Sequence, residues 1–319
     1  MAKAPAISII TPTFNRRDAL LRAVESVRRQ TYDDYEHVIV DDCSTDGTAE
    51  AIAKIKDQRL RFARFDGWRG ANAARNLGLR MAQSHLVTFL DSDDEFLPHR
   101  LEQSIDLFTQ PNIDLAISSF QTCKGSMTTP TVNRAARFDA DTLERAVIAQ
   151  VTALAGTAIT VRKAAIEAVG LFDESLWRLQ DRNLLLRLAE AGYGATIVEA
   201  IDWIKHHSPD SISRQRSGYV AAYGELLHRH PSIRERYPDI AAYMVARRIL
   251  NSLLQGRIQE TVSDYQANKS GRHLGFTFTR LVGGYLAGRR QRRQIIGEIK
   301  NLDPGIADGL LPSPALSRP

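Results

Sequence analysis

Apolar segments of strand length alternate with segments of helical period through the first third of the chain. AISIITPTF, YEHVIVDD, LRFARF and HLVTFLDSDD are each dominated by strand-forming residues. Between them, apolar residues recur three and four positions apart, first at Leu20, Val24 and Val27, then in GTAEAIAKI and in residues 73–82, and PHRLEQSIDLF follows from Pro98. This alternation predicts an α/β fold: a doubly wound, mostly parallel sheet with helices on both faces.

The last third of the chain shows helical periodicity alone. YVAAYGELLHRH, IAAYMVARRILNSLLQ and TFTRLVGGYLAGRRQRRQIIGEIK have apolar residues three and four positions apart, and LLPSPALSRP has the composition of a disordered tail. The polar segment 119–139 has little pattern and is interpreted as a connection or a hairpin. We therefore expect an α/β domain over residues 1–213, a helical region over 214–310 and a disordered tail over 311–319.

Composition restricts the class of protein. The chain has 319 residues, 43% hydrophobic and 25% charged, which suits a globular protein with a large core. Cys43 and Cys123 are its two cysteines and no CxxC pair occurs, so a disulfide framework and a cysteine zinc site are excluded. No apolar run approaches the roughly 20 residues of a membrane-spanning helix, and the first residues lack a secretory signal. We expect a cytoplasmic location.

Positive charge is concentrated in the C-terminal region. Residues 214–319 contain 17 Lys and Arg against 8 Asp and Glu, whereas the whole chain has 42 against 37. The basic residues Arg289, Arg290, Arg292 and Arg293 stand beside the apolar positions Leu281, Val282, Tyr285 and Leu286. Such a helix suits peripheral contact with the anionic inner face of a membrane. A solvated face on a packing helix or on a helix that forms a homo-oligomer is the alternative, and nucleic-acid binding is disfavoured because no reading module is recognisable.

Polar and acidic residues follow three of the predicted strands. They are Thr11, Pro12, Phe14 and Asn15 after the first strand, Asp41 and Asp42 after the second, and Asp91 and Asp93 after the fourth. Because ligands of open α/β sheets bind beyond the carboxyl ends of the strands, these residues are expected to meet in one crevice. Acids that gather there repel one another, and a hard cation such as Mg²⁺ or Mn²⁺ would relieve the repulsion. No GxGxxG, GxxxxGK[ST] or HExxH motif offers a competing site.

Five motifs in order resemble those of the family 2 glycosyltransferases. They are SIITPTFNR, VIVDDCSTDGT, GANAARNLGL, VTFLDSDD and GLFDESLWRLQDRNLLLRL. The resemblance covers roughly residues 5–215 and implies the GT-A fold, a nucleotide-sugar donor and transfer of the sugar with inversion at its anomeric carbon. The helical region after it is not covered.

The resemblance also implies which residues bind the donor. Asp42 would accept the N3–H of a uracil base, which favours a UDP-sugar, and the Thr11, Pro12, Phe14 and Asn15 loop would surround that base. Arg75 and Asn76 would bind the diphosphate. Asp93 would be the direct ligand of Mn²⁺ or Mg²⁺, Asp91 and Ser92 would contact ribose or metal-bound water, and His207, or alternatively His206, would complete the metal shell.

Some of these positions have simpler interpretations. Asp42 could instead cap the turn near Asp46, and Arg75 could be a surface arginine paired with a nearby acid.

The acceptor side is identified from LQDRNLLLRLAEAG. By resemblance, Asp181 is the general base that takes the proton of an acceptor hydroxyl, and its place at a helix N-terminus predicts a lowered pKa. Gln180 departs from the glutamate usual in the family, so two hypotheses follow. The first is a transferase that builds a polysaccharide or glycoconjugate on a saccharide or lipid-linked saccharide; the second is a non-catalytic sugar-nucleotide-binding or scaffold protein on the same fold.

Overall fold

A computed structural model describes residues 3–207, 218–270 and 274–302. The strands of these residues are β1 (Ile7–Thr13), β2 (Tyr35–Asp41), β3 (Leu60–Arg64), β4 (Leu86–Phe89), β5 (Glu95–Phe96), β6 (Leu115–Lys124), β7 (Met127–Thr131), β8 (Ala136–Phe138), β9 (Ile159–Arg162) and β10 (Ala195–His206). The α-helices are α1 (Arg17–Arg28), α2 (Thr48–Ala53), α3 (Ala71–Met81), α4 (Arg100–Phe108), α5 (Ala140–Ile148), α6 (Lys163–Ala168), α7 (Gln180–Glu190), α8 (Tyr219–Arg229), α9 (Pro231–Arg236), α10 (Pro238–Leu254), α11 (Ile258–Ser270) and α12 (Phe278–Lys300). A 3₁₀ turn spans Gly156–Ala158.

One sheet contains all of these strands, in the order β3-β2-β1-β4-β9-β6-β10-β5, with β7 beside β6 and β8 beside β10. Strands β3, β2, β1 and β4 are parallel, as the alternating pattern predicts. Strand β9 lies antiparallel between β4 and β6, and β6 forms a hairpin with β7 inside the weakly patterned segment 119–139. The predicted α/β fold class is confirmed, with antiparallel strands added beyond β4.

Helices cover both faces of the parallel strands because successive side chains of a strand point to opposite sides. Ile39 of β2 packs with the apolar residues of α1 and α2, whereas its neighbours Val38 and Val40 pack with α3. A Cβ at Gly78 of α3 would lie 2.5 Å from a methyl carbon of Ile10 in β1, so only glycine permits this close approach. Strands β1 and β2 are buried along their whole length, which explains their nearly continuous apolar sequences.

The C-terminal helices pack on the α/β part through a shared core. Val220, Ile240 and Ile295 belong to the same hydrophobic cluster as the residues of the sheet. Helix α12 lies close against α10, where a Cβ at Gly284 or Gly288 would come within 2.4 or 2.2 Å of that helix. None of the described helices has both the length and the apolar character needed to cross a membrane. The predicted boundaries after residues 213 and 310, and the predicted tail at 311–319, lie outside the described residues.

Candidate active site

A cleft of about 660 Å³ opens beyond the carboxyl ends of β1, β2 and β4. Most of the predicted site residues line it: Pro12, Phe14, Asn15, Asp42, Arg75, Asp91, Ser92, Asp93 and Asp181. Thr11, Asn76 and His207 are not among the residues that line it. The topology therefore brings three strand ends together as expected, and it adds a second wall formed by the start of α7 and the 3₁₀ turn.

Protein cations neutralise most of the acids in the loop after β4. The ion pairs are Asp91 with Arg75 at 2.7 Å, Asp93 with Arg16 at 2.7 Å, and Glu95 with Arg22 at 2.9 Å. The repulsion that the sequence suggests is therefore largely offset without a divalent cation. Repulsion among these carboxylates is therefore not sufficient evidence for a metal ion.

Burial and charge shift the pKa values of these acids in different directions. Burial raises the pKa of Asp91, but the Arg75 guanidinium outweighs it and holds the pKa below its ordinary value. At Asp93, burial outweighs the attraction of Arg16 and the pKa is raised. Asp94 accepts a hydrogen bond from the Thr157 hydroxyl at 2.9 Å, yet burial and the neighbouring carboxylates raise its pKa well above the ordinary value.

Donor atoms of the 91–93 loop suit Mg²⁺ or Mn²⁺. Both cations prefer carboxylate oxygens, and Mg²⁺ is usually held by one or two carboxylates together with substrate phosphates. Over residues 3–207, 218–270 and 274–302, no three His, Cys, Asp or Glu side chains are grouped so as to hold a metal ion. The loop thus offers part of a coordination shell, and a bound diphosphate would have to supply the rest.

Of the two candidate histidines, His206 lines the cleft and His207 does not. Strand β10 ends at His206, and His207 lies exposed beyond that end, where its backbone N–H donates to the Cys123 carbonyl at 3.1 Å. His206 lines the cleft, and its Nε2 lies 2.6 Å from Glu95 Oε1. Lys205 also lines this side and adds a positive charge.

Asp42 organises the loop that leads into α3. Its two carboxylate oxygens accept the backbone N–H groups of Arg69 and Gly70, each at 2.7 Å, and the residue is only 2% exposed. The turn near Asp46 is instead stabilised by Asp46 itself, which accepts from the Thr48 hydroxyl at 2.6 Å. A carboxylate oxygen accepts more than one hydrogen bond, so this arrangement leaves acceptor capacity on Asp42 for a ligand.

The end of β1, the loop that follows it and the segment before α3 form an apolar wall beside Asp42. Pro12 and Phe14 line the cleft, Phe14 is 42% exposed, and Trp68 lies in the same lining with 69% of its surface exposed. Exposed aromatic rings in a cleft suit stacking with a flat ligand. Asn15 holds the loop in place, because its Oδ1 accepts the backbone N–H of Thr45 at 2.7 Å.

Two predicted donor-binding residues lie away from the cleft. Thr11 is fully buried, with its hydroxyl 2.9 Å from His37 Nε2. Asn76 binds the segment before α7, donating to the Phe172 carbonyl at 2.9 Å and to Glu174 Oε1 at 2.8 Å. Consecutive helical residues point about 100° apart, so Asn76 cannot share the direction of Arg75. Both predictions are corrected: Thr11 packs within the sheet and Asn76 docks α3.

Asp181 faces the donor side across a narrow space. A Cβ built at Gly156 would lie 3.4 Å from Asp181 Oδ1, 3.7 Å from Asp91 Oδ1 and 3.8 Å from Arg75 Nη2. Asp181 Oδ1 is buried and has no hydrogen-bond partner within the part of the chain that the structure describes. The candidate base Asp181 therefore shares the space beside Gly156 with Asp91 and Arg75 of the donor side.

Burial, rather than the helix, dominates the pKa of Asp181. The residue lies in the first turn of α7, as predicted. Desolvation nevertheless raises its pKa, although the Arg75 guanidinium opposes the rise. The expected lowering is thus wrong in direction.

Several lining residues escape the sequence analysis. Arg16 and Arg182 stand inside the motifs that carry the resemblance, beside residues that were singled out, and their charge is the signal that could have identified them. Arg178 stands in the same motif as Arg182, three residues before Asp181, and could have been identified in the same way. Gly156 and Lys205 carry no local pattern, because only the packing of distant segments brings them to the cleft.

Curated glycosyltransferases match part of this chain. The 115–118-residue matches to curated relatives include the putative teichuronic acid biosynthesis glycosyltransferase TuaG of Bacillus subtilis, 36% identical over 36% of this chain and 47% of TuaG. They also include the UDP-Glc:alpha-D-GlcNAc-diphosphoundecaprenol beta-1,3-glucosyltransferase WfgD of Escherichia coli, 31% identical over 36% of this chain and 46% of WfgD. The matched stretch thus spans less than half the length of these relatives.

Solved structures of low sequence identity share the fold. S. aureus TarS 1-349 in complex with UDP-GlcNAc has a TM-score of 0.60 and 16% identity, covering 96% of this chain and 84% of that one. The mannosyltransferase PcManGT of Pyrobaculum calidifontis, in complex with GDP-Man and Mn2+, has a TM-score of 0.59 and 17% identity, covering 97% of this chain and 87% of that one.

The family model described as Glycosyl transferase family 2 matches residues 8–170, which is more than half of the chain. That stretch contains the loops after β1, β2 and β4 and Gly156. The chain belongs to glycosyl transferase family 2.

Proposed function

We propose that this protein is a metal-dependent, inverting glycosyltransferase that moves a sugar from a UDP-sugar to a hydroxyl group of a saccharide acceptor in polysaccharide or glycoconjugate synthesis. The observation that carries the proposal is the convergence of Arg75, Asp91 and Asp181 on the space beside Gly156. Membership of the family supports the class of reaction. The catalytic region is proposed to be residues 1–213, followed by the helical region 214–310.

The donor is proposed to bind on the side of β1, β2 and β4. Asp42 and the wall of Pro12, Phe14 and Trp68 would hold the base, and Arg75 would face the diphosphate. Two structural neighbours support a nucleotide sugar, since TarS was solved with UDP-GlcNAc and PcManGT with GDP-Man and Mn2+. Uracil is favoured because its N3–H is a donor that the Asp42 carboxylate can accept in a charge-assisted hydrogen bond, whereas cytosine has no N–H at that position.

Asp93, with Asp91 and Ser92 beside it, is proposed to hold Mn²⁺ or Mg²⁺ together with the donor diphosphate. A bound cation supplies stabilisation of the negative charge that develops on the leaving diphosphate. Arg16 and Arg75 place positive charge at the same loop, so this chain's own residues contribute to the same stabilisation.

Asp181 is proposed to take the proton of the acceptor hydroxyl. Its Oδ1 supports the role, because that oxygen accepts no hydrogen bond from the described residues and has acceptor capacity directed towards the space beside Gly156. A raised pKa also suits a general base, since proton transfer is most effective when the pKa lies nearer the working pH. Gln180, which lines the cleft, places no charge beside Asp181, so the departure from the usual glutamate does not remove the base. One carboxylate opposite the leaving group implies a single displacement, and hence inversion.

Contact with a membrane is a further part of the proposal, with a lipid-linked saccharide as acceptor. Along α12, Phe278, Val282 and Leu286 are 72%, 50% and 67% exposed and lie four residues apart, and the exposed Arg289 and Arg293 continue the same stripe. Apolar side chains followed by arginines suit an anionic bilayer surface. Leu281 and Tyr285 pack towards the protein instead, so they are removed from the predicted membrane face. The name of WfgD, which specifies a diphosphoundecaprenol-linked acceptor, is consistent with such an acceptor.

Co-sedimentation with vesicles tests the membrane contact. Vesicles containing anionic lipid should retain the protein and neutral vesicles should not, and Leu286→Glu should release it. Retention unaffected by Leu286→Glu would contradict this use of α12, and a concentration-dependent dimer abolished by that variant would favour the homo-oligomer.

Titration calorimetry tests the donor site. We expect UDP to bind more tightly than GDP, dTDP or CMP, to require Mn²⁺ or Mg²⁺, and to lose affinity in Asp93→Ala but not in Asp33→Ala, a change in an exposed acid outside the cleft. Preferential binding of another nucleotide would overturn the UDP assignment. No binding of any nucleotide would favour the second hypothesis, a non-catalytic scaffold on this fold.

A further inference from the structure

Two desolvated arginines flank Asp181 on the wall of the cleft opposite the donor side. Arg178 is only 9% exposed, and its guanidinium carbon lies 5.4 Å from the centre of the Tyr219 ring. Arg182, in the first turn of α7, donates from Nη1 to the carbonyl of Val147 at 3.1 Å. Both arginines and Tyr219 line the cleft.

The positive charge of Arg182 is only partly compensated within the described residues. Burial lowers the pKa of Arg182, and the Asp181 carboxylate opposes that lowering without cancelling it. Burial lowers the pKa of Arg178 as well. Within the described residues, no carboxylate oxygen lies within 4.0 Å of the Arg182 guanidinium, and its hydrogen bond goes to a neutral carbonyl. Removing such a cation even partly from water costs stability, and within the described residues no ion pair offsets that cost.

Ligand binding explains this arrangement better than packing does. A guanidinium presents a fork of N–H donors that matches the oxygens of a phosphate or carboxylate, and the interaction is stronger where water is excluded. The donor side already has Arg16, Arg75 and Lys205 for the diphosphate of the nucleotide. Arg178 and Arg182 instead stand beside Asp181, where the acceptor hydroxyl must lie.

We infer that Arg178 and Arg182 form an oxyanion-binding site on the acceptor side, so that the acceptor carries a phosphate or carboxylate group close to the hydroxyl that receives the sugar. This inference rests on the proposed function, because the role of Asp181 defines the acceptor side. The shared chemistry is an oxyanion; its source is either the phosphate that links a saccharide to its carrier or the carboxylate of a uronic acid.

Ligand-observed NMR titration of the full chain, saturated with UDP and Mg²⁺, tests the site. The probes are methyl phosphate, methyl glucuronide and the uncharged methyl glucoside. We expect at least one charged probe to bind more tightly than methyl glucoside. If only methyl phosphate binds more tightly, the acceptor is assigned as a phosphate-linked saccharide. If only methyl glucuronide does, the acceptor is assigned as a saccharide that contains a uronic acid.

Arg182→Gln is the informative variant, because Arg178 is so deeply buried that its replacement endangers folding. Loss of a hydrogen bond between charged groups should weaken binding of the charged probe about 10- to 100-fold. Arg182→Lys should restore part of the affinity, and Arg290→Gln, on the exposed surface of α12, should change nothing.

The affinity for UDP separates the two proposals. It should be equal in the wild-type protein and in all three variants. Normal UDP binding with no preference for the charged probes, or with a preference that Arg182→Gln leaves intact, overturns the oxyanion site. If UDP itself does not bind, the proposed donor site is wrong. The oxyanion site can then still be tested by titrating the charged probes without UDP and comparing their affinity for the wild-type protein and for Arg182→Gln.

Discussion

Replacing Arg75 by glutamine is expected to move the acid limb of the pH–rate profile to higher pH. Arg75 is 4% exposed and lies 2.7 Å from Asp91 Oδ1. The same point beside Gly156 is 3.4 Å from Asp181 Oδ1 and 3.8 Å from Arg75 Nη2, so these two atoms are no more than about 7 Å apart, the sum of the two distances. Arg75 therefore stabilises the ionised forms of both carboxylates.

The distance sets the size of the shift. Two unit charges about 7 Å apart interact by about 2.4 kcal/mol at an effective dielectric constant of about 20, which corresponds to about 1.7 pKa units. The cleft is open to water, which screens the interaction, so we expect about one unit. The sign follows from the role of a base: Asp181 acts when ionised, transfer is lost as the pH falls through its pKa, and removal of Arg75 raises that pKa further.

The assay is the rate of sugar transfer at saturating donor between about pH 4.5 and pH 8. Arg80→Gln, a change at an exposed position of the same helix, is the matched control and should keep the wild-type profile. Where transfer is too slow to profile, ¹³C NMR of the aspartate carboxyl groups reads the same shift. An acid limb that stays in place while the KM for donor rises would refute the reasoning, because Asp181 would then not be the titrating base in the field of Arg75.

Three other perturbations follow from single contacts. Gly156→Ala places a methyl group 3.4 Å from Asp181 Oδ1, which is an ordinary contact, so the melting temperature should stay unchanged. Because the methyl group occupies the space shared by Arg75, Asp91 and Asp181, kcat should fall at least about tenfold. A normal kcat would contradict the role of that space in the reaction. Gly288→Ala inserts a Cβ within 2.2 Å of α10 and should cost about 1–3 kcal/mol in urea unfolding, whereas Gly283→Ala meets nothing within 4 Å and should gain up to about 1 kcal/mol; equal effects would count against the close packing of the two helices. Burial lowers the pKa of His37 to about 3, so the folded protein favours its neutral form. The unfolded chain therefore binds the proton first, and the free energy of unfolding should fall as the pH falls below about 6.5, by about 2 kcal/mol between pH 6.5 and pH 5. His37→Gln should remove that loss, and an unchanged dependence of the unfolding free energy on pH would show that His37 is not its source.

Much of the fold is predictable from local pattern. Strands β1 and β2 and helices α1 and α3 follow directly from apolar runs and helical period, and the parallel topology then places the residues after each strand in one crevice. The antiparallel insertion of β9 is not predictable in this way, because Ile159–Arg162 is a short apolar run whose partners, β4 and β6, are remote in sequence.

Some properties of the site residues likewise follow from the local sequence, and others depend on tertiary packing. Arg75 and Asn76 are adjacent in one motif, yet Arg75 faces the cleft and Asn76 binds residues almost a hundred positions away. Thr11 lies in a strand buried on both faces, so no alternation in the sequence tells which of its residues point to the ligand. The pKa of Asp181 depends on how deeply tertiary packing buries it, and helix position alone gave the wrong sign. The direction and the burial of a side chain depend on the whole fold, whereas residue types and the ends of strands can be recognised from the local sequence.

The rate of sugar transfer by Asp181→Asn, measured beside its affinity for UDP, tests the central claim most directly. We predict that transfer falls about 10²- to 10⁴-fold because the acceptor hydroxyl loses its base, while the Kd for UDP stays within about twofold of the wild-type value. Asp141→Asn, at an exposed position of α5, should retain full activity. Transfer by Asp181→Asn at the wild-type rate would contradict the account.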